Sequence, residues 1–394
     1  TDMTHGRPIR LILLFSLPLM LGSVFQQLYT IVDTIIIGRG VGMQALASIG
    51  AADWINWLVL WGLQGFTQGF AILTAQEFGA GAYDRLRRVL AMIVKLSCWF
   101  GIAVTIISLL LVRPLLTLLH TDSAVFGGAQ TYLYVQFGGS LIIIAYNMAA
   151  AVLRCLGDSR TPLFAIIAAS FANIALDLLF VMGFGWGIFG ASFATVLAQL
   201  IAFLLCLRSL RRLPFVQLTK ADWKTDPAIL LHLCRLGIPT GLQMSMITLG
   251  GMVLQSVLNG FGVVFVAGYT AANKLYGILE SASVAFGYAM TAYMGQNRGA
   301  RNAARIDAGI RAVLVMSAEF TAAIVTAMLV AGKPLLGLFL STEEAGATDA
   351  LAVAYQYLMV LMAFLFALFM LQAYRSSLQG LGEMTVPTLS GFAE

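Results

Sequence analysis

Two acidic residues of this chain stand where acids are costly. Asp33 and Asp177 lie inside long apolar runs, and Asp177 follows Asn173 by four positions in the segment FANIALDLLF, residues 171–180. Four residues on a helix turn about 40° past a full circle, so the amide and the carboxylate share one face. A carboxylate in hydrocarbon costs about 2.5–3.5 kcal/mol on insertion scales and turns toward a cavity or a partner. The segment therefore reads as a functional site.

Thr195 joins them. Counted from the ends of their apolar runs, Asp33, Asp177 and Thr195 sit five or six residues from the same boundary on three different predicted helices. At 1.5 Å per residue this is a common depth of roughly 7–9 Å. Two carboxylates, an amide and a hydroxyl are hard oxygen donors suited to a small cation. Two carboxyl groups held together out of water also share a proton more readily than they carry two charges. Either use couples the site to an ion gradient, in which one charge crossing 100 mV releases about 2.3 kcal/mol. The bland reading is that the two acids only hydrogen-bond neighbouring helices. Their matched depth, with Asn173 and Thr195 alongside, favours cation binding by Asp33, Asn173, Asp177 and Thr195, with Na⁺ as the one metal ion considered.

Other polar residues in apolar runs are candidates for a substrate cavity: Gln26, Tyr29 and Thr30 beside Asp33, Gln243 and Met246 in the seventh run, and Lys274 and Glu280 in the eighth. Lys274 and Glu280 are six residues apart, so they diverge by about 120° and do not form a pair by position alone. Glu319 is a weaker candidate. Asp53 lies among Trp54, Trp57 and Trp61, an aromatic group of the kind found at a membrane interface, and reads as partly solvated. The methionines of the seventh and eighth runs, Met244, Met246, Met252, Met290 and Met294, suit either an adaptable cavity wall or ordinary packing, packing being the commoner role.

The elements that position these groups follow from composition. Of 394 residues, 60% are apolar and 10% charged, against about 25% charged in a soluble domain. Apolar runs of about 20 residues recur, and only helices or closed barrels carry a backbone through hydrocarbon. An all-α integral membrane protein is expected, with spans near 10–37, 45–75, 88–112, 128–153, 161–182, 188–210, 228–258, 266–293, 305–330 and 351–378 and the start of an eleventh at Pro387. The first run follows Arg7 and Arg10 without a small-residue cleavage site and reads as a retained helix, not a signal peptide.

With the N-terminus in the cytoplasm, 18 of the 23 Lys and Arg fall on the inner side, the asymmetry that sets orientation. A multi-pass protein of the cell membrane, inner or plasma, is expected. The net charge of +5 thus reports topology and not nucleic-acid binding, and the bilayer is the expected partner. The cysteines (Cys98, Cys155, Cys206, Cys234) show no CxxC spacing, and His5, His120 and His232 are scattered, so neither a zinc site nor a disulfide framework is indicated.

An internal repeat organises the chain. LP at 17–18 recurs as IP at 238–239, QEFGA at 76–80 as QNRGA at 296–300, RPLL at 113–116 as KPLL at 333–336, and LRCLGDSRTP at 153–162 as LQGLGEMTVP at 378–387. The offsets run from 220 to 225 in the same order. An even number of spans per unit makes the repeats parallel, two six-helix lobes related by an axis along the membrane normal. The expected division is an amino-terminal lobe at 1–210, a cytoplasmic linker at 211–227 broken by Pro214 and Pro227, and a carboxy-terminal lobe at 228–394. Twelve spans are expected of the whole pattern, with the last one to two missing from this chain.

With those motifs in place, the chain resembles the multidrug and toxic compound extrusion (MATE) family. The carriers are the doubled six-helix pattern, the QxxGA turns, AANK at 271–274 and the LGDSRTP block, over essentially the whole chain. The resemblance implies a V-shaped pair of lobes around a central cavity. It implies export of amphipathic, often cationic, organic molecules against H⁺ or Na⁺, with no cofactor beyond the coupling ion. Asp33, Asn173, Asp177 and Thr195 match the amino-lobe cation site of the DinF-like branch. The NorM-like branch places a Glu in helix seven and an Asp in helix ten, both absent here, which puts a carboxy-lobe site of that kind in doubt. A monomer is expected. The alternative is a lipid-linked oligosaccharide flippase of the same superfamily, disfavoured because intramembrane positive charge is limited to Lys274 and Lys95. No HExxH or phosphate loop occurs, and GASFA at 190–194 has neither a preceding strand nor a histidine to serve it, so an enzyme is not expected.

Overall fold

The computed structural model describes residues 2–339 and 347–394, and among them the chain is helical with no strand. Twelve α-helices follow in order: α1 Pro8–Gly40, α2 Met43–Gly79, α3 Tyr83–Leu118, α4 Ser123–Gly138, α5 Ser140–Cys155, α6 Arg160–Asp177, α7 Gly187–Arg211, α8 Pro227–Leu258, α9 Val263–Gly299, α10 Ala303–Gly337, α11 Ala347–Gly380 and α12 Thr385–Ala393. Eight stretches are long and apolar enough to cross a membrane, and the α4–α5 pair, bent by 50°, makes a ninth. The sequence suggested one span near 128–153, and the structure bends it. The break falls at Gly139, where α5 begins packed so closely on α7 that a Cβ would strike Val196.

The repeat is visible residue by residue. Pro18 and Pro239 lie inside α1 and α8, and Pro114 and Pro334 inside α3 and α10. Gly157 and Gly382, equivalent in the two LG motifs, both take positive φ (81° and 76°), the left-handed conformation that ends a helix and that glycine adopts without strain. The next residue of each motif then starts a helix. Asp158 accepts from the Arg160 and Thr161 N–H groups, both at 3.0 Å, before α6, and Glu383 accepts from Thr385 N–H at 2.9 Å before α12.

The first helix of each unit packs its N-terminal end in the other unit's core. At its N-terminal end α1 packs Ile12 and Phe15 among Ala289, Met290, Tyr293 and Phe369 of α9 and α11. Farther along, Ile36 and Ile37 pack with Val181 and Ala191 beside α7. The reciprocal arrangement holds for α8, whose Ile229, Leu233 and Leu236 join Phe70, Leu86, Val89 and Met148 of α2, α3 and α5. Small residues make this close approach feasible, as in membrane helix packing generally. A Cβ on Gly69 would meet the backbone at Gly237, and one on Gly79 or Gly299 would run into the backbone of Gln296 or Gln76. The end of the bundle carrying these contacts also carries the N-terminus, the 212–226 linker and most arginines; it is called the basic face below.

The linker is fastened to α3. Lys95 Nζ donates to Trp223 O at 2.6 Å and Thr225 Oγ1 at 2.8 Å, so this lysine anchors the linker instead of standing in a cavity. Asp222 closes a capping box with Thr219 and lies 3.7 Å from Arg87 Nε. Partial burial opposes its charge, but the Thr219 hydrogen bonds and the guanidinium groups of Arg87 and Arg88 outweigh it and hold the carboxyl below its ordinary range.

Candidate cation site

α6 does not run on regularly past its acid. At Asp177 the helix changes to a π-helical turn over Leu178–Gly183, followed by the short bend into α7. Such widened turns recur at functional sites because they re-aim one side chain. Phe180 anchors the turn by stacking on Trp186, ring centroids 5.0 Å apart.

Asn173 and Asp177 are buried, at 1% and 0% exposure. With the Asn173 amide set so that like groups do not face each other, its nitrogen donates to Asp177 Oδ2 at 3.0 Å. Its oxygen then accepts from Thr195 N–H at 3.3 Å. The Thr195 hydroxyl donates to Ala191 O at 3.2 Å, leaving its lone pairs as acceptors. Asp33 of α1 completes the group: its carboxyl lies within hydrogen-bonding reach of the Asp177 carboxyl. The four residues singled out in sequence thus converge from α1, α6 and α7.

One oxygen of each acid, Asp33 Oδ1 and Asp177 Oδ1, is buried without a hydrogen-bond partner. Two carboxylates in contact repel unless a proton or cation lies between them, and orphaned buried oxygens carry a desolvation penalty of about 1–3 kcal/mol each. The donor set fits a small cation or a shared proton, since two of its groups are anionic carboxylates and the Thr195 hydroxyl and Asn173 carbonyl keep lone pairs.

The structure adds a surround of which sequence reading singled out only Tyr29 as a site candidate. Tyr29 lies within electrostatic reach of both acids. Tyr132 of α4 faces Tyr29, Asp33 and Asp53, and its hydroxyl receives a hydrogen bond from Asn56 Nδ2 at 3.3 Å. Gln136, one turn after Tyr132, is buried, and Gln199 Oε1, one turn after Thr195, is buried and unpartnered. For Gln199 a sequence signal was present, a polar residue four after Thr195 in an apolar run, the pattern that exposed Asn173 and Asp177. Asp53 was read as an interfacial group; it is half-buried and belongs to this polar surround.

The proposed cavity residues divide. Gln26 and Thr30 are exposed on the middle of α1, and Tyr29 is half-buried beside them. Lys274 is exposed on α9, and Met246 and Glu280 are half-buried. Gln243 departs from the expectation. It is fully buried, accepts from Gln379 Nε2 at 2.9 Å and touches Gly391 of α12, so it packs between helices and does not line open space. Met290 and Met294 are core residues.

The MatE family model matches residues 18–179 and again 239–393, two segments whose starts differ by 221 positions, the spacing of the internal repeat. The chain belongs to the MatE family. Members are membrane transporters and not enzymes. This MatE chain is 34% identical over 364 residues to the probable multidrug resistance protein YpnP of Bacillus subtilis (strain 168), covering 91% of this chain and 79% of that one. It is 25% identical to the probable multidrug resistance protein NorM of Thermotoga maritima, covering 84% and 72%. Among solved structures, a MATE crystal structure in complex with MaL6 superimposes with a TM-score of 0.90 at 24% identity, covering 99% of this chain and 87% of that one. At that identity the likeness concerns the fold.

Proposed function

We propose that this chain is a secondary active exporter of small amphipathic or cationic organic molecules, an antiporter driven by inward movement of H⁺ or Na⁺ through the site at Asp33, Asn173, Asp177 and Thr195. The observation that carries the reading is the contact between the Asp33 and Asp177 carboxyl groups, each with a buried, unpartnered oxygen. Support for the substrate class comes from relatives named as multidrug resistance proteins.

The fold supplies a way for ion occupancy to be felt elsewhere. α1 carries Asp33 on the stretch packed against the amino-lobe helices and Ile12 and Phe15 on the stretch packed in the other core. Loading the site removes the repulsion between Asp33 and Asp177 and draws α1 toward α6. Emptying it restores the repulsion, and Pro18, which removes one helical hydrogen bond from α1, eases the bend that follows. Because α1 bridges the cores, its displacement alters how the lobes meet around Gln26 and Thr30, the surface where substrate is held. Ion and substrate then compete through one helix, which is the thermodynamic requirement for exchange.

Efflux of a fluorescent organic cation from proteoliposomes, at fixed membrane potential with pH and Na⁺ varied separately, tests the reading. The gradient that drives efflux names the ion. Gradient-driven efflux that persists in Asp33→Asn and Asp177→Asn proteins would remove the site from the mechanism.

A further inference from the structure

A second charged site lies at the basic face, where the first turns of α3 meet the first turns of α8. A cavity of about 330 Å³ is lined there by Arg85 and Arg88 of α3, Leu73 of α2, and Asp226, Ile229 and His232 at the start of α8. That volume is at the lower end of small-ligand sites. Its floor is apolar, since Leu73 and Ile229 are buried in the core beneath.

The positive charges there are under-compensated. Arg87, their neighbour, is taken up by Asp84 and Asp222. Arg85 uses Nε on Glu77 at 3.0 Å, which leaves the terminal fork of its guanidinium for a ligand. Arg88 makes no ion pair within 4.0 Å among the described residues and acts on Asp222 only from farther off. The one acid in the lining, Asp226, spends Oδ1 on the Ala228 and Ile229 N–H groups at 3.0 and 3.2 Å, capping α8. Around His232 stand three guanidinium groups, those of Arg85, Arg235 and Arg298. A partly open cavity with this surplus of guanidinium groups calls for an anion.

The cavity also sits at a telling level. Its ligating residues fall within the first two turns of α3 and α8, about 3–9 Å along helices that rise 1.5 Å per residue. Tyr83, two residues before Arg85, and Trp223, three before Asp226, are 44% and 40% exposed and are of the aromatic types that mark the headgroup layer. Basic pockets between membrane helices on the positively charged side suit phospholipid headgroups.

We propose that this cavity binds a phosphate group, with Arg88 and His232 as direct ligands and the Arg85 fork as a third, supplied by the headgroup of an anionic phospholipid or by soluble phosphate. The level and the exposed aromatic residues near it in sequence favour the headgroup. α3 and α8 come from different repeat units, so the bound phosphate ties the two together at the face where Gly79 and Gly299 meet their partners.

The test reads binding and not transport, so it stands or falls apart from the antiport reading. The full chain in neutral detergent is titrated with dihexanoyl-phosphatidylglycerol, with dihexanoyl-phosphatidylcholine and with inorganic phosphate, followed by calorimetry. Expected is saturable phosphatidylglycerol binding, weakened at least tenfold in Arg88→Gln/His232→Gln and unchanged in Arg311→Gln, an equal loss of charge on α10. Saturation by inorganic phosphate in the same range, with the same loss in the double variant, supports the site and assigns it to soluble phosphate. Should the double variant not fold, Arg88→Gln alone is expected to weaken binding about threefold. Absence of saturable binding by either anion, binding unchanged by these substitutions, or equal weakening by Arg311→Gln overturns the proposal.

Discussion

The two repeat units share a scaffold and divide the chemistry unequally. At the offsets of 220–221 that relate their first helices, Asp33 of α1 corresponds to Val253 or Leu254 of α8, both exposed apolar residues. Conversely Glu280 of α9 corresponds to Leu60 of α2, and at the offset of 225 the buried Arg375 of α11 corresponds to Ala150 of α5. The prolines, the left-handed glycines and the acids that open α6 and α12 are kept in register, while the intramembrane charges are not. On the function proposed above, a duplicated frame supplies two bodies and the charge pair placed in one of them is what makes their movement answer to an ion. The comparison also assigns Arg375 a local role: it bonds Ser390 Oγ at 3.0 Å and Glu394 Oε2 at 2.6 Å, holding α12 to α11.

The largest effect is expected at the armed half. Asp33→Asn or Asp177→Asn removes one charge of the pair, and one coupled charge at 100 mV is worth about 2.3 kcal/mol, or about fiftyfold in accumulation ratio. Ion-driven efflux from proteoliposomes should fall toward leak, while passive binding of the organic cation, measured by fluorescence polarisation, persists. Installing Asp in place of Leu254 should not rescue Asp33→Asn, because Leu254 lies on α8 and not on the helix that brings Asp33 to Asn173 and Asp177.

The next effect tests the shared frame. Gly79→Val or Gly299→Val puts a branched side chain against the backbone of Gln296 or Gln76, and overpacking of this kind costs about 1–3 kcal/mol. A lower Tm in detergent is expected, of similar size at the two positions because they are repeat equivalents. Unequal shifts would show that the symmetry of the basic face is only nominal. Asn173→Ala comes third. It deletes a buried hydrogen bond to Asp177, about 1–2 kcal/mol, and should raise the ion concentration for half-maximal efflux about fivefold to thirtyfold with less change in maximal rate.

How much of this was legible in the sequence follows the same division. The helices, the repeat and its hinging motifs could be read because apolar length and Gly, Pro and acid punctuation are local signals. Asn173 and Asp177 could be read because four-residue spacing is local too, and Asp33 and Thr195 because depth is a count along a helix. Tyr132, Asn56 and Asp53 could not, since their relevance depends on which faces of α2 and α4 turn toward α1, a rotation that no single helix encodes. The burial of Gln243 was hidden for the same reason: it is decided by α11 and α12, more than 130 residues away. The exchange of α1 and α8 between cores was hidden as well, because both halves of each helix are equally apolar.

The smallest effect is expected at Glu280, and it is the most direct probe of the unequal halves. This half-buried acid stands near Tyr276 and Glu394 and has no partner carboxyl at contact distance among the described residues comparable to the Asp33–Asp177 pair. Such an acid can hydrogen-bond a substrate or a helix, but Glu394 repels it without a hydrogen bond between the two, a weaker hold on conformation than the Asp33–Asp177 pair. Glu280→Gln keeps the size and one acceptor oxygen, so efflux at saturating gradient should change by less than about twofold, within what a surface-like substitution produces. The informative measurement is the pH and Na⁺ dependence of efflux. If Glu280→Gln leaves the midpoint of that dependence in place while Asp177→Asn abolishes the dependence, coupling belongs to one lobe. If the midpoint moves, the carboxy-terminal lobe carries a titrating group of its own, and the unequal halves are both armed with different residues.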